Sequence, residues 1–160
     1  MRYPGLICAM SIGIVLAPLA AAQAPKGPPL RDGYVPSLGD LMGATQLRHS
    51  KLWFAGKRRN WGLAAYELGQ IRASFEDAAM LYPGIPVTDV TTVAQPLRLI
   101  GDAIEAKDAS KFTKGFNDLT AACNACHKEI GRGFIAIQVP PTASPFSNQL
   151  FSPRTKQQGR

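Results

Sequence analysis

Three residues near the C-terminal end of the chain form the pattern with the clearest chemistry. Cys123 and Cys126 are three positions apart, and His127 directly follows the second cysteine within the stretch AACNACHKEIG. Two cysteines at this spacing can form thioethers with the two vinyl groups of a haem, and the histidine that follows then brings its imidazole beneath the iron. The pattern therefore predicts one covalently attached haem c.

Other kinds of site use similar residues. A thioredoxin-like redox pair is expected at the start of a helix near a βαβ pattern, whereas this pair lies late in a predicted helix with no strand before it. A zinc site needs a fourth ligand, and His49 is the one obvious residue left for it. A structural disulfide would need only the two cysteines, in an exported helical interaction protein. The motif, its helical context and the leader described next together favour haem.

The N-terminal residues have the pattern of a secretory signal peptide. Arg2 supplies the positive start, residues 6–19 form a short apolar run, and small residues follow it. We predict that residues 1–22 are removed during export to the periplasm, because cleavage after Ala24 rather than Ala22 would place Pro25 next to the cut. The mature chain would have no membrane span, and Cys8 would be lost with the leader.

The charge of the chain bears on its partners. Lysine and arginine outnumber aspartate and glutamate by 18 to 11, and basic residues are most concentrated between positions 48 and 59. This cluster is either a solvated turn between helices or a docking patch for an acidic redox partner. Export makes nucleic acid an unsuitable partner, and a homodimer stays open.

Between two proline-rich ends the sequence is helical throughout. Residues 23–37 form a lead-in and residues 133–160 an irregular tail, which Phe146, Leu150 and Phe151 would attach to the body. Cap residues and apolar stripes predict helices from 38 to about 55, from 61 to 81, within 89–107, and from a cap at Asp108 to Gly131. Gly56 is the expected stop of the first helix, and Pro96 fits near the start of the third or at a kink. We predict an all-α domain over residues 38–132, an antiparallel up-and-down four-helix bundle with haem near the end of the last helix.

With CNACHKEIG on the fourth of four helices, the chain resembles the class II cytochromes c, which comprise cytochrome c-prime and its low-spin relatives. The resemblance covers about residues 38–132. It implies that Cys123 and Cys126 bind the haem covalently and that His127 is the proximal iron ligand. A residue of the first helix then lies on the distal side of the haem. In the family an arginine usually stands one turn before that distal residue. Here the position four residues before Met42 is Leu38, which leaves Arg48, Lys128 and Arg132 as candidates to contact the propionates.

The sixth iron position decides the predicted function. A filled position suits electron transfer between redox partners, and an open one suits binding of NO or CO. We expect a non-enzymatic electron carrier, with a five-coordinate protein that binds NO or CO as the alternative. A haem enzyme such as a peroxidase is disfavoured, because His49 is the one evident distal acid–base residue.

Two residues of the first helix compete for the sixth position. Met42 and His49 are seven residues apart, so both face the core. Histidine is the stronger ligand by type. However, the end of the fourth helix lies opposite the beginning of the first helix in an antiparallel arrangement, and Met42 is there. We therefore predict Met42 as the sixth ligand and His49 as the alternative.

Overall fold

The computed structural model of the protein describes residues 34–85 and 87–154. Within these residues the chain forms four helices and no strand: α1 (Leu38–Lys57), α2 (Trp61–Leu81), α3 (Val87–Glu105) and α4 (Ala109–Glu129). The prediction of an all-helical domain is confirmed. None of these helices combines the length and the apolarity that a membrane-spanning segment needs. The predicted signal peptide, residues 1–22, lies outside the described residues.

Three of the helices begin at the cap residues that the sequence predicts. Ser37 and Asp40 form a reciprocal capping box at the start of α1. The side chain of Asn60 accepts a hydrogen bond from a backbone N–H in the first turn of α2, and Asp108 does the same at α4. Each cap satisfies N–H groups that have no partner inside the helix, which fixes where the helix starts.

The four helices enclose one apolar core. α1 packs mainly on α2 and α3 mainly on α4, whereas α1 and α4 contact each other over few residues. This arrangement is compatible with a four-helix bundle. The apolar stripes point inward as predicted, and the largest fully buried side chains are mostly apolar: Phe112, Phe116, Leu52, Ile71, Ile100 and Leu119.

The contacts between α1 and α4 follow a regular order. His49 contacts Thr120, and the ring of Trp53 lies 4.9 Å from that of Phe116. Further along α1, Gly56 meets the ring of Phe112, which a Cβ at this position would overlap.

The role predicted for Gly56 as a helix stop is wrong. α1 continues through Gly56 to Lys57, and the reversal falls on Arg59, which has a positive φ of 55°. Gly56 is buried, and the missing side chain allows α1 and α4 to approach closely. Pro96 lies inside α3 and not near its start, so of its two predicted positions only a kink within the helix remains.

Part of the C-terminal segment packs on the helices. Phe151 is buried, and its ring lies 5.6 Å from that of Phe54, which Phe146 also contacts. Leu150, by contrast, is 58% exposed, so its predicted role in holding the tail is wrong. Of the three residues predicted to attach the tail, Phe146 and Phe151 therefore do so.

Candidate haem site

A cavity of about 580 Å³ lies at the end of the core where α4 finishes. Its volume is within the range of about 300–1,000 Å³ that is typical of small-molecule and cofactor sites. α1 and α4 contribute most of the helical wall, and residues 130–137 close another side. The lining includes the five residues predicted to anchor the haem or to bind its iron: Met42, His49, Cys123, Cys126 and His127.

The three motif residues lie on the last two turns of α4. The i, i+3 and i+4 spacing puts Cys123, Cys126 and His127 on one face of the helix, and all three are half-buried. Both cysteines are thiols, not a disulfide. Burial, and then the neighbouring Cys126, raises the pKa of Cys123 to about 11. Catalytic redox pairs depend on a lowered thiol pKa, so this environment counts against a thioredoxin-like site.

The imidazole of His127 is oriented by a backbone carbonyl. Its Nδ1 lies 2.7 Å from the carbonyl oxygen of Ile135. Because a carbonyl oxygen can only accept, Nδ1 must carry the hydrogen. The neutral ring then has its lone pair on Nε2, which is the form that binds a metal ion.

The segment that follows α4 folds back along the helix. Gly131 has a positive φ of 70°, which glycine adopts without strain and which reverses the chain. The N–H of Arg132 donates to the carbonyl of His127 at 2.6 Å. Ile137, six residues after the reversal, is bound by the side chain of Asn124. This side chain donates to the carbonyl of Ile137 at 2.8 Å and accepts from its N–H at 2.7 Å. Residues from 133 onward, predicted to be an irregular tail, thus contribute to the wall of the cavity, and no pattern in the sequence indicates this contribution.

Met42 lies on α1 and lines the same cavity as the motif residues. Its side chain is half-buried, and Gly39 and Gly43 line the cavity beside it. The thioether sulfur is a soft donor that binds haem iron in electron-transfer cytochromes. Met42 is therefore a residue of suitable type, and it belongs to the cavity that contains His127.

His49 is already engaged in the core. It is 4% exposed, its Nε2 lies 2.9 Å from Oγ1 of Thr120, and its ring packs on Phe116 with a centroid distance of 4.3 Å. The hydroxyl of Thr120 donates to the carbonyl of Phe116 at 2.9 Å, so Oγ1 accepts from an Nε2–H of His49. Burial lowers the pKa of His49 to about 4, which keeps the ring neutral at pH 7.

Of the cationic candidates for the haem propionates, Arg132 alone lines the cavity. Arg48 forms an ion pair of 3.0 Å with the buried carboxylate of Glu67 and stacks on Tyr66. This pairing explains why Arg48 is turned to α2 rather than to the cavity. The exposed basic turn at residues 57–59 begins 15 residues after Met42, about 22 Å further along α1.

Comparison of the chain with family models, with curated proteins and with solved structures finds no match. Within the described part of the chain, no group of three or more histidine, cysteine, aspartate or glutamate side chains could hold a metal ion. A haem brings four nitrogen ligands of its own and needs at most two from the protein. The types of residue that line this cavity, two cysteines, a histidine and a methionine, are those that can hold a haem.

Proposed function

We propose that the protein is a periplasmic c-type cytochrome that carries one covalently bound haem and transfers electrons between redox partners. One observation carries the proposal: Cys123, Cys126 and His127 line a single cavity of cofactor size, and the histidine is held with Nε2 available. The predicted signal peptide supports export, and the single motif supports one haem.

We further propose that α1 and α4 run antiparallel, as in an up-and-down four-helix bundle. The contact pairs support this: residue numbers rise by seven along α1 from His49 to Gly56 and fall by eight along α4 from Thr120 to Phe112. Continued in the other direction, the same register puts the residue seven before His49 opposite the residue seven after Thr120. These residues are Met42 and His127, which supports Met42 as the sixth ligand.

Each of these residues would have a distinct role in a haem protein. A bound haem supplies a one-electron iron couple. Cys123 and Cys126 would hold it through thioethers, and the Nε2 lone pair of His127 would bind the iron. The sulfur of Met42 would supply the second protein ligand. Apolar lining residues such as Val93 and Ile85 keep water away from the site. A site filled in this way needs little rearrangement when the oxidation state changes, which suits electron transfer.

The visible spectrum of the protein, expressed together with a haem-attachment system, tests the proposal. We expect a red colour that stays with the polypeptide in acid–acetone and a low-spin spectrum. Serine at both motif cysteines should abolish covalent attachment. A haem that extracts from the wild type would refute the attachment. A high-spin wild type whose reduced form binds CO would instead support the five-coordinate alternative.

Replacement of methionines tests the sixth ligand. Met42→Ala should abolish the weak near-infrared band from sulfur to ferric iron and open the site to CO. Met80→Ala is the matched control, because Met80 lies on α2 with 72% of its surface exposed, and it should leave the band unchanged. If the wild type lacks the band and His49→Ala turns the haem high-spin, His49 is the ligand.

A further inference from the structure

We propose that Asn124 is a positioning residue for His127: it holds the segment after α4 so that the Ile135 carbonyl orients the imidazole. The inference rests on the proposed function in that His127 is taken to bind haem iron. Asn124 is one of the two residues between the cysteines, positions that the haem-attachment motif itself leaves unspecified. Its side chain makes two hydrogen bonds to one residue, Ile137.

The amide of Asn124 matches the backbone of Ile137. Its nitrogen donates to the Ile137 carbonyl and its oxygen accepts from the Ile137 N–H, so one planar group satisfies both backbone groups. On a helix, residues three apart are neighbours, and the side chain of Asn124 therefore starts beside that of His127. The extended segment is thereby fixed against the helix close to the imidazole.

The carbonyl of Ile135 lies between two anchors. On one side, Gly131 turns the chain and Arg132 bonds to the carbonyl of His127. On the other side, Asn124 binds Ile137, which lies two residues after Ile135. Residues 133–136 are exposed, so little packing would hold the carbonyl if the second anchor were removed.

The hydrogen bond that this arrangement maintains affects the metal ligand. A carbonyl that accepts from Nδ1–H fixes the tautomer of a ligating histidine and raises the basicity of its other nitrogen. A more basic ligand favours ferric over ferrous iron and lowers the reduction potential. Loss of Asn124 should therefore raise the potential, speed exchange of the Nδ1 proton of His127, and leave the covalent anchors untouched.

The test compares Asn124→Ala with Asn117→Ala in the holoprotein. Asn117 is an exposed asparagine two turns earlier on α4 and serves as the matched control. Hydrogen exchange by mass spectrometry should accelerate across residues 132–138 in Asn124→Ala by roughly fivefold or more, the effect expected when one or two hydrogen bonds are lost. The Nδ1 proton of His127, followed by NMR, should exchange faster, and the potential should shift upward. Asn117→Ala should resemble the wild type in all three measurements.

The outcomes separate this inference from the proposed function. If Asn124→Ala matches Asn117→Ala in both exchange measurements and in potential, the positioning role is refuted. If Asn124→Ala gives too little holoprotein, Asn124→Asp decides, because it keeps the acceptor for Ile137 but loses the donor. Unchanged exchange across 132–138 and at Nδ1 in that variant also refutes the role. A wild type that attaches no haem refutes the proposed function, and exchange across 132–138 still tests the contact between Asn124 and Ile137.

Discussion

The buried imidazole of His49 makes the stability of the folded protein depend on pH below neutrality. Burial lowers its pKa from 6.5 to about 4 in the folded protein, whereas the unfolded chain keeps the ordinary value. Between these two values the unfolded state binds more protons, so the free energy of unfolding falls as the pH falls. The contribution of neutral His49 is fully present above pH 6.5 and is lost as the pH drops through about 4.

The size of the effect follows from the two pKa values. Their difference corresponds to about 3 kcal/mol, since one pKa unit equals about 1.4 kcal/mol, and most of it is already lost at pH 4.5. His49→Gln removes the titration but keeps an N–H that can donate to Thr120. The substitution also removes the packing of the imidazole ring on Phe116, and the free-energy cost of that loss is the same at every pH. The difference between the two proteins therefore isolates the titration of His49, because the groups that both proteins share cancel.

Urea unfolding of both holoproteins from pH 7.5 to 4.5, followed by circular dichroism, measures this difference. We expect the free energy of unfolding of the wild type to fall more steeply than that of His49→Gln, by about 2–3 kcal/mol over the range. Parallel curves would refute the assignment of His49 as a buried neutral residue. A variant with a high-spin spectrum would show that His49 binds the iron and that the proposed register of α1 and α4 is wrong.

Three further predictions concern the fold and its dependence on the cofactor. Gly56→Ala should lower the free energy of unfolding, measured by urea titration, by about 1–3 kcal/mol, because the added Cβ overlaps Phe112. Gly62→Ala is the control and should not destabilise the protein, because a Cβ at that position meets open space. Phe151→Ala should cost about 3–5 kcal/mol by urea unfolding, and Phe134→Ala much less, because Phe134 is 80% exposed. Serine at both motif cysteines should give a protein that no longer melts cooperatively by circular dichroism, since a cofactor that binds only the folded state stabilises it. A cooperative melt at the midpoint of the holoprotein would contradict this last prediction.

The helices could be predicted from the sequence because their signals are local. Ser37, Asn60 and Asp108 satisfy backbone groups within three residues of themselves, so each helix start can be inferred from adjacent letters. The inward stripes follow from the helical period alone. Gly56 shows the limit of this reasoning. A glycine near a helix end usually signals a stop. Here, however, the ring of Phe112, 56 positions further along the chain, leaves no space for a side chain at this position.

The surroundings of His127 could be predicted only in part. The motif predicts the two anchors and the iron ligand because their chemistry fixes the spacing. The carbonyl that orients the imidazole belongs to Ile135, and the side chain that holds that segment belongs to Asn124. These hydrogen bonds join residues 8 and 13 positions apart through an extended stretch without apolar periodicity. No helical or strand pattern indicates them.

The choice between Met42 and His49 depends on packing rather than on residue type. Type alone favours histidine, which binds iron more strongly, and both residues line the cavity. In the core, however, the Nε2 hydrogen of His49 is used by Thr120, and its ring packs on Phe116. Met42 lies seven residues before His49 on α1, about 10 Å along the helix axis. His127 lies seven residues after Thr120 on α4, which is the same distance. If α1 and α4 run antiparallel, as we propose, both displacements lead to the same end of the core, and the hydrogen bond that engages His49 would then bring Met42 to the level of His127.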